Sequence, residues 1–183
     1  MGEFVFVQGQ NKSGKSRFAE KLVSLTEGKR YYIATMLRSC DANELQIERH
    51  IRQRQGLNFE TLELPFGFGE AEIEKDSVVL LEDVANLTAN LIFEKHQPWQ
   101  PIPDEVEGLR EKCALLIAVS ISGLDAGSYD GETARYINAL NEINSTLADH
   151  ADAVFVMQDG GPVLKKGDVP DALKSILDSH VNL

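Results

Sequence analysis

The chain has 183 residues, 43% of them hydrophobic and 26% charged, with a formal net charge of −11. That length suits a single folded domain over residues 1–183 with a sizeable core, and the composition is that of an ordinary globular protein. The acidic balance argues against nucleic acid as a partner, because phosphate backbones are repelled wherever donors are not locally concentrated.

The first element is the apolar run Phe4–Gln8, read as a strand. It runs straight into Gly9-Gln10-Asn11-Lys12-Ser13-Gly14-Lys15-Ser16, which fits the G-x-x-x-x-G-K-[ST] phosphate loop, and then into a helical pattern over Lys15–Leu25. Strand, loop and helix in that order are the context the motif requires. Its glycines let the backbone curl so that successive N–H groups point at phosphate oxygens, and the helix adds the positive end of its dipole. Lys15 is expected to reach the β- and γ-phosphates, and Ser16 to hold Mg²⁺.

Tyr31–Ala34 reads as the second strand, ending in Ala34-Thr35-Met36, and Asn43–Arg54 as a helix. Phe66–Gly69 is a loop. Val78–Glu82 is a strand closing on the acids Glu82-Asp83, followed by a helical pattern over Ala85–His96. A carboxylate placed there holds Mg²⁺ opposite the loop serine in phosphate-loop enzymes, whereas Asp83 also suits the N-cap of the next helix. Pro98–Pro103, with the only tryptophan, Trp99, reads as a surface loop. A helix over Asp104–Lys112, a strand over Leu115–Ser120, a long helix over Gly131–His150 and a strand over Ala153–Met157 follow. Val163–Lys165 is a short final strand, and Pro170–His180 a closing helix. Apolar runs alternating with helical patterns predict an α/β fold with a mostly parallel sheet and helices on both faces. Ligands then bind beyond the carboxyl ends of the strands.

Two isolated cysteines, Cys40 and Cys113, form neither a disulfide framework nor a zinc spacing, so a reducing cytoplasm is the expected setting. No apolar run approaches bilayer-spanning length, and no signal peptide is read at the N-terminus. His50 stands in Ile47-Glu48-Arg49-His50-Ile51-Arg52-Gln53-Arg54, among three arginines. Nearby cations favour neutral imidazole, which keeps a nucleophilic nitrogen at neutral pH, and the same arginines attract phosphates. A nucleophile, a phosphate clamp and a solvated helix with an incidental histidine all fit this segment. His96, His150 and His180 read as surface residues.

Several motifs in order resemble a known family. They are Ser13-Gly14-Lys15-Ser16-Arg17 with Ala19-Glu20, Tyr32-Ile33-Ala34-Thr35, and Ile47-x-Arg49-His50-x-x-x-Arg54. Phe59-x-Thr61-x-Glu63, Leu80-Leu81-Glu82 with Asn90-Leu91, and Asn144 with Leu147-Ala148 follow. Together they resemble the bifunctional adenosylcobinamide kinase / adenosylcobinamide-phosphate guanylyltransferase family of cobalamin biosynthesis. The resemblance implies a RecA-like P-loop NTPase fold, often trimeric. It implies phosphorylation of the aminopropanol hydroxyl of adenosylcobinamide by ATP or GTP. It then implies transfer of GMP from GTP through a guanylylated His50 to adenosylcobinamide phosphate, giving adenosylcobinamide-GDP.

By the same motif matching, Gly9 to Ser16 hold phosphates, with Lys15 and His50 catalytic. Ala34, Thr35 and Met36 line the nucleotide site, Ile51, Arg52, Gln53 and Arg54 contact the nucleotide, and Glu63 and Glu82 supply acidic contacts to base, ribose or metal. The chain departs from the family pattern at Ser120-Ile121-Ser122-Gly123, where Asn-Glu-Val-Gly is usual. It departs again at Ala134-Arg135-Tyr136-Ile137-Asn138, at Gln46, and at Lys12, where arginine is usual. A P-loop kinase of another small molecule and a non-catalytic GTP-binding relative are the alternatives.

Overall fold

The computed structural model describes residues 1–37, 55–159 and 161–174. The predicted helix over Asn43–Arg54, which includes His50, Ile51, Arg52, Gln53 and Arg54, lies outside the described residues, as do Gln46, Cys40 and His180.

In chain order the elements are β1 (Glu3–Gly9), α1 (Lys15–Ser24), β2 (Arg30–Ala34), β3 (Phe59–Glu63) and β4 (Val78–Glu82). Next come α2 (Val84–Ala89), α3 (Ile102–Glu111), β5 (Leu115–Ile121), α4 (Gly131–His150), β6 (Ala153–Gln158) and β7 (Gly161–Gly167). Among the described residues, seven strands form one sheet in the order β3-β2-β4-β5-β1-β6-β7. All pairs are parallel except β6 with β7.

The central strands are buried on both faces, which is why they read as continuous apolar runs. Phe4 and Phe6 of β1, Val79 and Leu81 of β4, and Leu116 and Ala118 of β5 face one core, formed with Leu87, Val106, Leu109, Leu140, Ile143 and Leu147 of α2, α3 and α4. Their alternates, Val5, Val7, Val78, Leu80, Ile117 and Val119, face the second core with Phe18, Ala19, Leu22 and Val23 of α1. The period-two alternation of a pleated strand thus distributes one sequence between two cores.

Four elements differ from the sequence-based expectations. β3 was read only as a motif, because Phe59-Glu60-Thr61-Leu62-Glu63 is half polar; it is an edge strand, with Glu60, Thr61 and Glu63 exposed. The helix expected over Ala85–His96 is α-helical only to Ala89. It widens into a π-turn over Asn90–Glu94, in which Lys95 N–H donates to Asn90 O at 3.1 Å. The Pro98–Pro103 loop already contains the first turn of α3. Pro103 is tolerated there because the first-turn N–H groups have no intrahelical acceptor. The final strand is longer than expected and antiparallel, and Asp171–Leu173 forms one 3₁₀ turn at the start of the predicted closing helix. His96 and His150 are exposed, as expected.

The amino-terminal edge of the sheet is held by Arg110. Its guanidinium donates to Gly2 O at 2.7 Å, to Asp152 Oδ2 at 2.7 Å and to His150 O at 3.3 Å. Asp152 Oδ2 also accepts from Phe4 N–H at 2.8 Å, so one carboxylate joins α3, β1 and the entry to β6. The carboxyl edge carries the Gly9–Ser16 loop and the Glu82–Asp83 turn.

Candidate functional site

β1 delivers the chain at Gly9 into a tight loop whose centre is the Gln10 carbonyl. Ser13 N–H and the Lys15 ammonium both donate to it, each at 3.2 Å. Gly9 has no room for a side chain: a Cβ there would lie 2.4 Å from Ser13 Oγ and 2.8 Å from Met157 Cβ. Gly14 caps α1 with φ 86°, in the left-handed region that glycine adopts at little cost, and Phe18 N–H donates to its carbonyl at 2.9 Å. Gln10, Asn11 and Lys12 are exposed, and Ser13 and Ser16 half-buried. The Ser13 hydroxyl oxygen is itself buried and has no hydrogen-bond partner among the described residues. Lys15 is buried, and burial lowers its pKa, opposed by the nearby Asp83 and Glu82 carboxylates. A desolvated ammonium beside free backbone donors suits a phosphate ligand.

The strand register places the acids on the same edge. Ala34 pairs with Glu63 on one side and with Glu82 on the other, Glu82 pairs with Val119, and Val119 pairs with Val7, two residues before Gly9. Glu82 is buried and its Oε2 accepts from Tyr32 OH at 3.2 Å. Glu63 is exposed and stands two strands, about 10 Å, from the Glu82 row.

Asp83 follows through a cis peptide and caps α2, its Oδ1 accepting from Asn86 N–H at 2.6 Å. Burial pushes its carboxyl up to about 6; neighbouring Glu82 adds to the rise, while the Asn86 N–H and Lys15 oppose it. The capping reading of Asp83 is met by the bond from Asn86 N–H.

Thr35 is wholly buried. Its hydroxyl donates to Asp83 O at 2.7 Å and accepts from Asp83 N–H at 2.8 Å, bracketing the Glu82–Asp83 turn. The Asn90 amide donates to Thr35 O at 2.7 Å and to Pro65 O at 2.9 Å, tying the π-turn to the ends of β2 and β3. Thr35 thus shapes the acidic turn from below, while Ala34 and Met36, half-buried, flank it. Single-residue reading missed the roles of Thr35 and Asn90, because their partners are backbone groups 48 and 55 residues away.

The residues fit a magnesium ion shared with a phosphate. Among the described residues, no group of three or more His, Cys, Asp or Glu forms a metal cage. What is present is a set of hard oxygens, the Ser16 hydroxyl and the Glu82 and Asp83 carboxylates. Mg²⁺ is commonly held by one or two carboxylates with substrate phosphates and water. Burial, with a smaller contribution from Glu82, raises the Asp83 carboxyl, and a nearby divalent cation would favour its charged form.

Both segments that depart from the family pattern stand near this edge. Ser122 N–H donates to Gly9 O at 3.0 Å, and Gly123 faces the Gln10 side chain. Tyr136 OH donates to Ala85 O at 3.3 Å and its ring lies 5.8 Å from that of Phe93. Burial, with a contribution from Asp83, pushes its phenol up to about 12.

Comparison with known proteins agrees with this geometry. The chain is 8% identical to a prototypical ATPase from the type III secretion system of pathogenic bacteria, with a TM-score of 0.58 over 98% of this chain and 62% of that one. It is 12% identical to the ATP synthase subunit NeqB from Nanoarcheaum equitans, with a TM-score of 0.56 over 97% and 57%. For a protein from Pyrococcus horikoshii OT3 the values are 11% and 0.54, over 94% and 89%. These likenesses establish a RecA-like P-loop NTPase fold. The bifunctional adenosylcobalamin biosynthesis protein CobU of Escherichia coli (strain K12) is 28% identical over 175 residues, 85% of this chain and 96% of that protein. Residues 5–164 match the family described as cobinamide kinase / cobinamide phosphate guanyltransferase, and the chain belongs to that family.

Proposed function

We propose that the protein phosphorylates adenosylcobinamide with ATP or GTP and then guanylylates the product to adenosylcobinamide-GDP. The observation that carries this reading is the phosphate loop with Lys15 buried on the Gln10 carbonyl and Glu82 and Asp83 on the same edge, in a chain of this family.

In the kinase step, the loop N–H groups from Gly9 to Ser16 and the Lys15 ammonium hold the triphosphate and stabilise charge on the transferred phosphoryl group. Ser16 and Glu82, with Asp83 behind them, hold Mg²⁺, which when bound neutralises phosphate charge. In the transferase step, a neutral His50 nitrogen attacks the α-phosphorus of GTP. An N–P bond forms and pyrophosphate leaves. A phosphate oxygen of the acceptor then attacks the same phosphorus, the N–P bond breaks, and its electron pair returns to the His50 nitrogen, restoring the neutral imidazole. Ala34, Thr35, Met36, Ile51, Arg52, Gln53, Arg54 and Glu63 are proposed to surround the nucleotide. A homo-oligomer, a trimer, in the cytoplasm completes the proposal.

The test is product analysis by chromatography and mass spectrometry. With adenosylcobinamide and ATP, the phosphate ester is expected; adding GTP should convert it to adenosylcobinamide-GDP with release of pyrophosphate. Lys15→Ala should lose both products, and wild-type protein giving neither would refute the reading. The altered Ser120–Gly123 segment lies against the phosphate loop. It favours, as the second reading, a relative that binds GTP without turnover, which the same assay separates.

A further inference from the structure

We infer that Asn144, on α4, is a positioning residue for the phosphate loop. It acts through the Ile121–Gly123 turn on the Gln10 carbonyl that holds Lys15.

The linkage is a set of hydrogen bonds joined through adjacent backbone residues. Asn144 Nδ2 donates to Ile121 O at 2.8 Å, the last carbonyl of β5. The next residue, Ser122, donates its N–H to Gly9 O at 3.0 Å, and Gly123 lies against the Gln10 side chain. Gln10 O then accepts from Ser13 N–H and from the Lys15 ammonium. The same helix face makes two further contacts, one just past the turn and one to β1. Asn141, one turn earlier, donates to Leu124 O at 3.3 Å, and Gln8 of β1 donates to Asn144 O at 3.4 Å. α4 thus contacts the ends of β5 and of β1, the strand that leads into the loop.

Stability alone is a poor explanation for asparagine here. Asn144 is 5% exposed, and its Oδ1 is buried with no hydrogen-bond partner among the described residues. A leucine has the same branched outline and would sit beside Ile143 and Leu147 without that desolvated acceptor. The amide orientation is set by chemistry, since turning it over would oppose two oxygens. What asparagine supplies and leucine does not is one N–H aimed at the end of β5.

The inference concerns triphosphate binding only. It needs neither His50 nor the corrinoid acceptor, so it stands or falls separately from the proposed function. The test compares Asn144→Leu, Asn144→Ala and the control Ile143→Val, whose side chain is buried on the same helix with no link to the loop. Mg²⁺-GTP affinity is read by calorimetry at 15 °C, alongside the melting temperature without nucleotide. Asn144→Leu should keep or raise the melting temperature and weaken GTP binding about tenfold. Asn144→Ala should weaken binding similarly while also melting earlier, and Ile143→Val should melt earlier with unchanged affinity. Wild-type GTP affinity in either folded Asn144 variant overturns the inference, as does an equal loss of affinity in Ile143→Val.

Discussion

Replacing Asp83 by asparagine isolates the electrostatic cost of the acidic turn. Asparagine caps a helix as well as aspartate does, so the Oδ1 bond from Asn86 N–H survives and only the charge is removed. Burial raises the carboxyl from 3.8 to about 6, and each pKa unit corresponds to about 1.4 kcal/mol. The folded state therefore binds a proton more tightly than the unfolded state between those values. Stability from this group is fully present below pH 3.8 and is lost as pH rises through about 6. The wild-type loss by pH 7 is on the order of 2–3 kcal/mol, the lower figure allowing for partial solvent screening of a half-buried group. Asp83→Asn should show none of it. Urea unfolding of both proteins, free of nucleotide and Mg²⁺, at pH 4.5, 5.5, 6.5 and 7.5 measures the difference. The variant's advantage should widen with pH and level off near neutrality. A difference that stays constant over that range would refute the assignment of a carboxyl raised chiefly by desolvation.

Two further substitutions probe the geometry. Thr35→Val leaves the Asp83 N–H and C=O without their shared hydroxyl; unfolding free energy should fall by about 2–4 kcal/mol and Mg²⁺-GTP affinity should fall with it, and unchanged affinity would contradict the bracketing role. Gly9→Ala forces a methyl group against Ser13 Oγ and Met157 Cβ; a stability loss of about 1–3 kcal/mol and loss of triphosphate binding are expected by thermal melting and calorimetry, and full GTP affinity would show that the loop yields without cost.

The sequence made the central sheet legible because burial on both faces leaves a plain signature: Phe4–Gln8, Val78–Glu82, Leu115–Ser120 and Ala153–Met157 are all strands within a residue or two of their predicted ends. The long helix was legible for the opposite reason, since Ile137, Leu140, Ile143 and Leu147 repeat on one face. β3 escaped because an edge strand needs apolar residues on one face at most, and Glu60, Thr61 and Glu63 are exposed. The break in the helix after Ala89 follows from the Asn90 amide reaching two distant carbonyls, and periodicity carries no record of such contacts. Around the candidate site, the strand–loop–helix order at Gly9–Ser16 and the position of Glu82 at a strand end were legible from spacing and context. Thr35 was expected to line the nucleotide site; the structure adds the bond from its hydroxyl to Asp83, a contact that exists only because β2 and β4 are sheet neighbours. Asn144 stood out only as part of a resemblance, and its aim at Ile121 depends on how α4 lies across β5.

The central claim, that one imidazole carries GMP from GTP to the acceptor, is tested most directly by incubating the protein with GTP labelled at the α-phosphorus. The expected result is protein-bound label that is stable to alkali and labile to acid, absent from His50→Ala, and discharged by adenosylcobinamide phosphate. No adduct in the wild type, or equal labelling of His50→Ala, would contradict the claim.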